Sequence, residues 1–330
     1  MAITLAEINA LRQKTQAGLM DCKKALTEAE GDMEKAMEIL RKKGQLVAAK
    51  RSDREAAEGC VLAKVDGNFA AMIALKCETD FVAKNADFVA LAQTIIDAAV
   101  ANKCKTIEEI NALTINGKPI PELVTERSGV TGEKMELDGY ATVEGEMVCA
   151  YNHMNQNFLC TLVAMNKPCN ETVAKNVAMQ IAAMAPVALN EASVPQEVKD
   201  KEFAASIDKA KQNQIQKAVE NALKKAGINP AHVDSDDHIA SNTEKGWITA
   251  EQGEQAKQIK AEVAAATEAQ LKPEMIQNIA KGMLNKFFKE SCLLEQAYID
   301  DNKVNVAQYL QSADKELTVV DFKRYTLRAE

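Results

Sequence analysis

Side chains able to do covalent chemistry are few in this sequence and badly spaced for it. The three histidines, His153, His232 and His238, are accompanied by no Gly-x-Ser-x-Gly, so no nucleophile with a paired base is visible. Neither Gly-x-x-x-x-Gly-Lys-Ser/Thr nor Gly-x-Gly-x-x-Gly after a strand occurs, so the chain has no visible cradle for a nucleotide phosphate. Cys22, Cys60, Cys77, Cys104, Cys149, Cys160, Cys169 and Cys292 form no Cys-x-x-Cys pair and have no histidine at zinc-ligand spacing. They read as reduced, mostly buried thiols that pack as small hydrophobes. The stretch His232-Val233-Asp234-Ser235-Asp236-Asp237-His238 carries donors for a divalent metal. A solvated loop tip is the better account, because nothing nearby closes a coordination sphere. His153, behind a strand in Tyr151-Asn152-His153, is read as structural or partner-facing rather than catalytic.

One segment resists so plain a reading. In Cys77-Glu78-Thr79-Asp80-Phe81-Val82-Ala83-Lys84-Asn85 an apolar strand gives way to helix, and Thr79 or Asp80 suits the cap of the first turn. Phe81 and Val82 fall at a loop tip, ahead of the regular core positions that begin with Phe88. Phe81 then has two readings. An aromatic on a rigid junction is the anchor that partner interfaces use; a staple tucked into its own core is the other, and on physics alone it carries more weight.

The elements around this segment are of two kinds. The first 45 residues alternate helical patterns with glycine stops: a capping box at Thr4-x-x-Glu7 opens a helix with Leu5, Ile8 and Leu11 on one face. Gly18 precedes a second helix, with Leu19, Cys22, Ala25 and Leu26 apolar. Gly31-Asp32 ends that helix and caps a third, bearing Met33, Ala36, Met37 and Leu40, for which Gly44 is the expected stop. Such a bundle resembles a ubiquitin-associated domain, and Gln45 to Glu58 links it onward. From Gly59 the period changes. Cys60–Val65, the turn pair Asp66-Gly67 and Asn68–Cys77 predict a hairpin, followed by a helix with Phe88, Leu91, Ile95, Ile96 and Ala99 in register.

A second copy is expected downstream, with strands over Gly139–Tyr151 and Asn157–Met165 and a helix from Asn170 to Met184. Val-Ala-Lys-Asn recurs at Val82–Asn85 and Val173–Asn176, and Asn68-Phe69 recurs as Asn157-Phe158. These repeats point to two related modules. Val198 to Lys272 is almost continuous helix former, broken at Gly227, Pro230 and 234–246, which predicts a protruding helical hairpin. Pro273 opens another helix, with Ile276, Ile279, Met283, Leu284 and Phe287 apolar. Strand-like segments close the chain at Leu293–Ile299 and Leu317–Leu327, the latter with a bulge.

The reading is therefore α+β, in four parts: 1–54, a helical domain with its linker; 55–138, a first core module; 139–199 with 273–330, a second core module; and 200–272, an inserted helical hairpin or coiled coil. With 330 residues, 47% of them apolar, the chain has enough for two or three cores, which excludes disorder as the main state. A 4% aromatic content leaves the cores to aliphatic residues and favours helix. No apolar run approaches the roughly 20 residues that span a bilayer, and Met1 to Glu7 lacks a basic flank followed by an apolar stretch. A soluble, cytosolic chain with no membrane contact is expected. The net charge of −8 argues against nucleic acid as a direct partner.

The residues also carry a resemblance. Leu11-Arg12-Gln13-Lys14-Thr15-Gln16-Ala17-Gly18-Leu19-Met20-Asp21-Cys22-Lys23-Lys24-Ala25-Leu26 resembles the N-terminal signature of the bacterial elongation factor Ts family, and Cys77–Asn85 resembles its second signature. Gly31-Asp32, Leu40-Arg41-Lys42-Lys43-Gly44 and Tyr151-x-His153 lie where that family has similar residues. The resemblance covers about residues 1–200 and 273–330 and implies a guanine-nucleotide exchange factor for the GTPase elongation factor Tu, with no cofactor or metal of its own. It implies that Thr79, Asp80, Phe81 and Val82 enter the GTPase near its magnesium site, Phe81 as a wedge between two helices and Asp80 disturbing the ion. Leu19, Met20 and Lys23 would pack on the G domain, and the second module would meet another domain of the GTPase.

Three features depart from the family pattern. The segment from about Lys211 to Gln270 is longer than expected, and is the surface through which a homodimer would form. Gln180 stands where some members have histidine. No helical tail of the kind some members lay against the GTPase is expected after the last strand. The runner-up reading is a ubiquitin-associated-like peptide-binding adaptor with a coiled-coil oligomerisation arm, which would leave Phe81 buried. A metal enzyme at His232 and His238 comes third.

Overall fold

The computed structural model describes residues 3–15 and 17–328, with only the backbone of Ala48; Met1, Ala2 and Gln16 of the sequence motifs, and Ala329 and Glu330, lie outside the described residues. The chain divides into two compact units, Met1–Leu189 with Ala297–Glu330, and Asn190–Gln296.

The first unit opens with three helices, α1 (Leu5–Thr15), α2 (Leu19–Glu28) and α3 (Met33–Lys50). The capping box forms as its spacing requires: Thr4 N–H donates to the Glu7 carboxylate at 2.7 Å, and Glu7 N–H donates to Thr4 Oγ1 at 3.3 Å. Asp32 caps α3, accepting from Glu34 and Lys35 N–H at 3.0 Å each. Ile8, Leu11, Cys22, Ala25, Leu26 and Ala36 close a small core. The expected stop at Gly44 is absent, and α3 runs on to Lys50.

Strands β1 (Glu58–Asp66) and β2 (Phe69–Cys77) form the expected hairpin. Asp66 pairs with Phe69, so the turn residues are Gly67-Asn68, one position later than expected, and Gly67 supplies the positive φ of +59°. After β2 come α4 (Asp80–Ala83), α5 (Ala86–Ala101), α6 (Ile107–Asn111), the minimal hairpin β3 (Thr114–Ile115) and β4 (Lys118–Pro119), α7 (Ile120–Thr131) and β5 (Met135–Glu144). Helix α7 explains Gly44. The two helices cross with Gly44 against Gly129, and a Cβ on Gly129 would sit 2.2 Å from Gly44 Cα. Gly44 is therefore a packing residue inside a helix, not a terminator.

Strand β5 pairs with β2, giving the sheet order β1-β2-β5. The strand expected over Gly139–Tyr151 is thus two strands, because the backbone changes partners at its middle: Gly145 N–H bonds Asn68 O at 3.2 Å and Glu146 N–H bonds Met165 O at 3.1 Å. Beyond this switch, β6 (Met147–Asn152) belongs to a second sheet with β7 (Leu159–Met165), and α8 (Glu171–Met184) packs on that sheet. Period-2 alternation sorts β2 between two cores. Phe69, Ala71, Ile73, Leu75 and Cys77 join the α5 residues Phe88, Ala92, Ile95, Ile96 and Ala99. Ala70, Met72 and Ala74 meet Cys160, Leu162 and Ala164 of β7.

The repeated Val-Ala-Lys-Asn strings are not equivalent in space. Asn85 caps α5, whereas Val173–Asn176 lies inside α8, whose cap is Asn170.

The second unit holds α9 (Gln196–Lys225), α10 (Asp236–Glu244), α11 (Ala250–Gln270) and α12 (Pro273–Ser291), with α11 and α12 both packed on α9. It takes in Pro273–Ser291 because Ile276, Ala280 and Phe288 are buried there. The tip is a folded cap rather than a bare loop: Leu223, Ile228, Val233, Ile239, Ile248 and Ala256 form a core. His238 pairs with Asp234, and His232 lies against the ring of the exposed Trp247.

The chain then returns to the first unit as β8 (Ala297–Tyr298), β9 (Asp301–Asn305), α13 (Val306–Ala313) and β10 (Val319–Thr326). The strand expected over Leu293–Ile299 is reduced to Ala297–Tyr298, because Glu295 and Gln296 N–H fold back onto Cys292 O. Strand β10 pairs with β7, carrying the expected bulge between Val319 and Asp321. Each sheet is thus a hairpin, a packed helix, and a late strand added to the hairpin's second member. Among the described residues no helix is long and apolar enough to cross a membrane.

All eight cysteines are free thiols, and only Cys149 and Cys169 are half-exposed. Burial pushes the Cys60, Cys77 and Cys160 thiols up to about 12. A thiol reagent at neutral pH should therefore modify Cys149 and Cys169 first and reach the other six only after unfolding. Peptide mapping checks this; early labelling of Cys60 or Cys160 would contradict the buried sheet interface.

Candidate functional site

Where β2 ends, the backbone must turn sharply into α4, and the local sequence supplies the cap. Thr79 is extended (φ −125°, ψ 153°), and its Oγ1 accepts from Val82 N–H at 3.4 Å. Glu133, just past the left-handed Gly132 that ends α7, accepts from three donors of the same turn. Its Oε2 takes Glu78 N–H at 3.1 Å and Thr79 N–H at 3.0 Å, and its Oε1 takes the Thr79 hydroxyl at 2.6 Å. Cys77 Sγ donates to Thr79 O at 3.2 Å.

Glu78 ties the turn to the segment after α3. Its carboxylate accepts from Arg51 at 3.1 Å, Arg54 at 2.9 Å and Lys134 N–H at 2.6 Å. Partial burial alone would raise this carboxyl; the Lys134 N–H and the two guanidiniums outweigh it and hold it down at about 2.

Within α4, Val82 and Ala83 pack against the core, leaving Phe81 pointing outward and 84% exposed. The staple reading of Phe81 is therefore overturned. Phe69 and Phe88 already fill the aromatic positions of that core. Leaving a phenyl ring in water forgoes about 2 kcal/mol of burial, which a covering partner would return. Asp80 pairs with Lys84 at 2.7 Å, which lowers its pKa and keeps it ionised.

On α2 the inward residues are Cys22, Ala25 and Leu26. Leu19, at the edge of that stripe, Met20 at 61% exposure, and Lys23 are exposed. These residues and Thr79–Val82 sit on separate elements of the first unit. Arg51 and Arg54 carry the helical segment to Glu78 and so to the turn. Glu133, Arg51 and Arg54 are missed by sequence reasoning, since only the fold brings them to the Glu78-Thr79 turn, and the role of Glu78 as their partner does not show in its own segment.

The remaining candidates lie elsewhere in the fold. Gln180 is buried, donating to Ala297 O at 3.1 Å and accepting from Ile299 N–H at 2.9 Å, and so fastens β8 to α8. His153 lies edge-on to Tyr151 and Phe158. Among the described residues no three His, Cys, Asp or Glu side chains are placed to hold a metal ion.

Comparison with known proteins bears on the same region. The family profile described as "Elongation factor TS" matches residues 78–329. Proteins named elongation factor Ts are similar over the whole of both chains, with 64% identity in Phocaeicola vulgatus and 62% in Bacteroides fragilis. One from Porphyromonas gingivalis is 43% identical over 332 aligned positions. A profile spanning most of the chain, together with full-length similarity at these levels, places the chain in the elongation factor Ts family, to which it belongs.

Proposed function

We propose that the chain is a guanine-nucleotide exchange factor for elongation factor Tu, acting in the cytoplasm without covalent chemistry, cofactor or direct nucleic-acid contact. The observation that carries this reading is Phe81, held outward on a capped and clamped turn at 84% exposure. Thr79–Val82 enters the GTPase beside its Mg²⁺. Phe81 wedges between two helices, and Asp80 disturbs the ion's surroundings. Removing Mg²⁺ takes away the charge that neutralises the phosphates, which loosens GDP. Leu19, Met20 and Lys23 dock the ubiquitin-associated-like bundle on the G domain, and the second module meets another domain.

Such a factor needs no nucleotide pocket. It must bind the nucleotide-free GTPase more tightly than the GDP form, and linkage then requires that GDP be held more weakly by the same factor. The working division of labour is bundle and linker over 1–54, wedge module over 55–138, second module over 139–189 and 297–330, and a helical unit over 190–296 that contains the expected coiled-coil hairpin of 200–272, through which a homodimer would form. The adaptor reading loses its support, because it requires a buried Phe81.

The deciding measurement is release of a fluorescent GDP analogue from purified elongation factor Tu. Substoichiometric amounts of this chain should accelerate it in a turnover manner. A folded chain that leaves the spontaneous rate unchanged would remove the proposal.

A further inference from the structure

A wedge is effective only if its turn is set before the partner arrives, since ordering it on contact would consume binding free energy. Helix α4 spans four residues, too few to hold itself. We propose, resting on the exchange reading above, that Glu133 is a positioning residue of the exchange reaction: its carboxylate presets the Thr79 turn and thereby presents Phe81.

The geometry supports this in three respects. First, Glu133 accepts two backbone N–H groups left open between the last residue of β2 and the first of α4, and bonds to an ionised acceptor are stronger than neutral ones. Second, it takes the Thr79 hydroxyl proton at 2.6 Å, which leaves Oγ1 oriented to accept from Val82 N–H. One carboxylate therefore fixes both the strand end and the direction of the cap. Third, Glu133 is itself pinned by its main chain. Ser128 Oγ, from a buried residue, donates to Glu133 O, and Glu133 N–H donates to Thr131 Oγ1 at 3.3 Å. The carboxylate acts through Thr79 and Phe81 and touches nothing of the partner in this scheme.

The test is a double-mutant series in the fluorescent GDP release assay, run at saturating full-length chain, with circular dichroism as the check of folding. Glu133→Ala and Glu133→Asp, the latter one methylene short of the turn, should each slow exchange about tenfold. Glu133→Gln keeps a carbonyl that accepts both N–H groups but is neutral and, with its amide facing Thr79, no longer accepts the hydroxyl, so it should retain a rate between those of the parent chain and Glu133→Asp. In a Phe81→Ala background, Glu133→Ala should cost no further factor beyond about twofold, because the two residues act as one unit.

A folded Glu133→Asp chain with an unchanged rate overturns the proposal and leaves the wedge standing; that variant decides the matter if Glu133→Ala does not fold. An equal loss in both backgrounds also overturns it, in favour of a general structural role. If Phe81→Ala alone leaves the rate unchanged, the wedge reading falls and this assignment falls with it.

Discussion

Truncating Phe81 to Ala should remove most of the acceleration of GDP release, about a hundredfold at saturating factor, while stability stays within about 0.5 kcal/mol of the parent chain. The two halves of this result come from one observation. A ring that is 84% exposed makes almost no contact in the free protein, so its loss leaves the core as it was. The same ring is the large apolar group that the Thr79 turn exposes, so its loss in the complex removes an anchor worth about 2–4 kcal/mol. Phe88→Ala is the control. That side chain is fully buried between β2 and α5, and its truncation should cost about 3–5 kcal/mol. Stopped-flow release and urea unfolding on the two variants separate the cases. Loss of stability by Phe81→Ala, or an unchanged exchange rate, would contradict the wedge.

A large effect on stability is also expected at Gly129. Its missing Cβ is where α3 and α7 touch, and an added methyl would lie 2.2 Å from Gly44 Cα and 3.3 Å from Gly44 C. Both obstacles are backbone, so no rotamer change relieves them. Gly129→Ala should therefore destabilise the chain by about 3 kcal/mol or separate α3 from α7. Arg41 and Glu122, 3.2 Å apart across the same contact, would part with them. Urea unfolding together with hydrogen exchange of the α3 amides distinguishes the two outcomes. An Ala variant as stable as the parent, with α3 still protected, would mean that the close approach is not needed. Gly282 is the comparison: nothing lies within 4 Å of a Cβ built there, and Gly282→Ala should be tolerated.

The glycines at the α3–α7 crossing mark where sequence reasoning stops, and the caps mark where it works. Caps are legible because their partners lie within three residues: Thr4 with Glu7, Asp32 with Lys35, Asn170 with Thr172. The β1–β2 hairpin and α5 are legible because turn chemistry and apolar period agree. Gly44 reads as a stop because a glycine that breaks a helix and one that lets another helix approach look alike in one dimension. Helices α7 and α13 go unassigned, since neither carries a long apolar period bounded by clear signals. At the site, Thr79 to Val82 stands out as a capped junction, but the direction of Phe81 is decided by packing. Glu133 lies 54 residues from Thr79, and no local pattern marks it.

The distribution of aromatic residues has an optical consequence. Trp247 is the one tryptophan of the chain and belongs to the helical unit, where it is 62% exposed beside Lys245 and His232. The five tyrosines, Tyr140, Tyr151, Tyr298, Tyr309 and Tyr325, all belong to the sheet-containing unit. The two units thus carry different chromophores. Emission excited at the red edge belongs to the indole of one, near-ultraviolet tyrosine dichroism belongs to the other, and the melting of each can be followed separately in a single unlabelled sample.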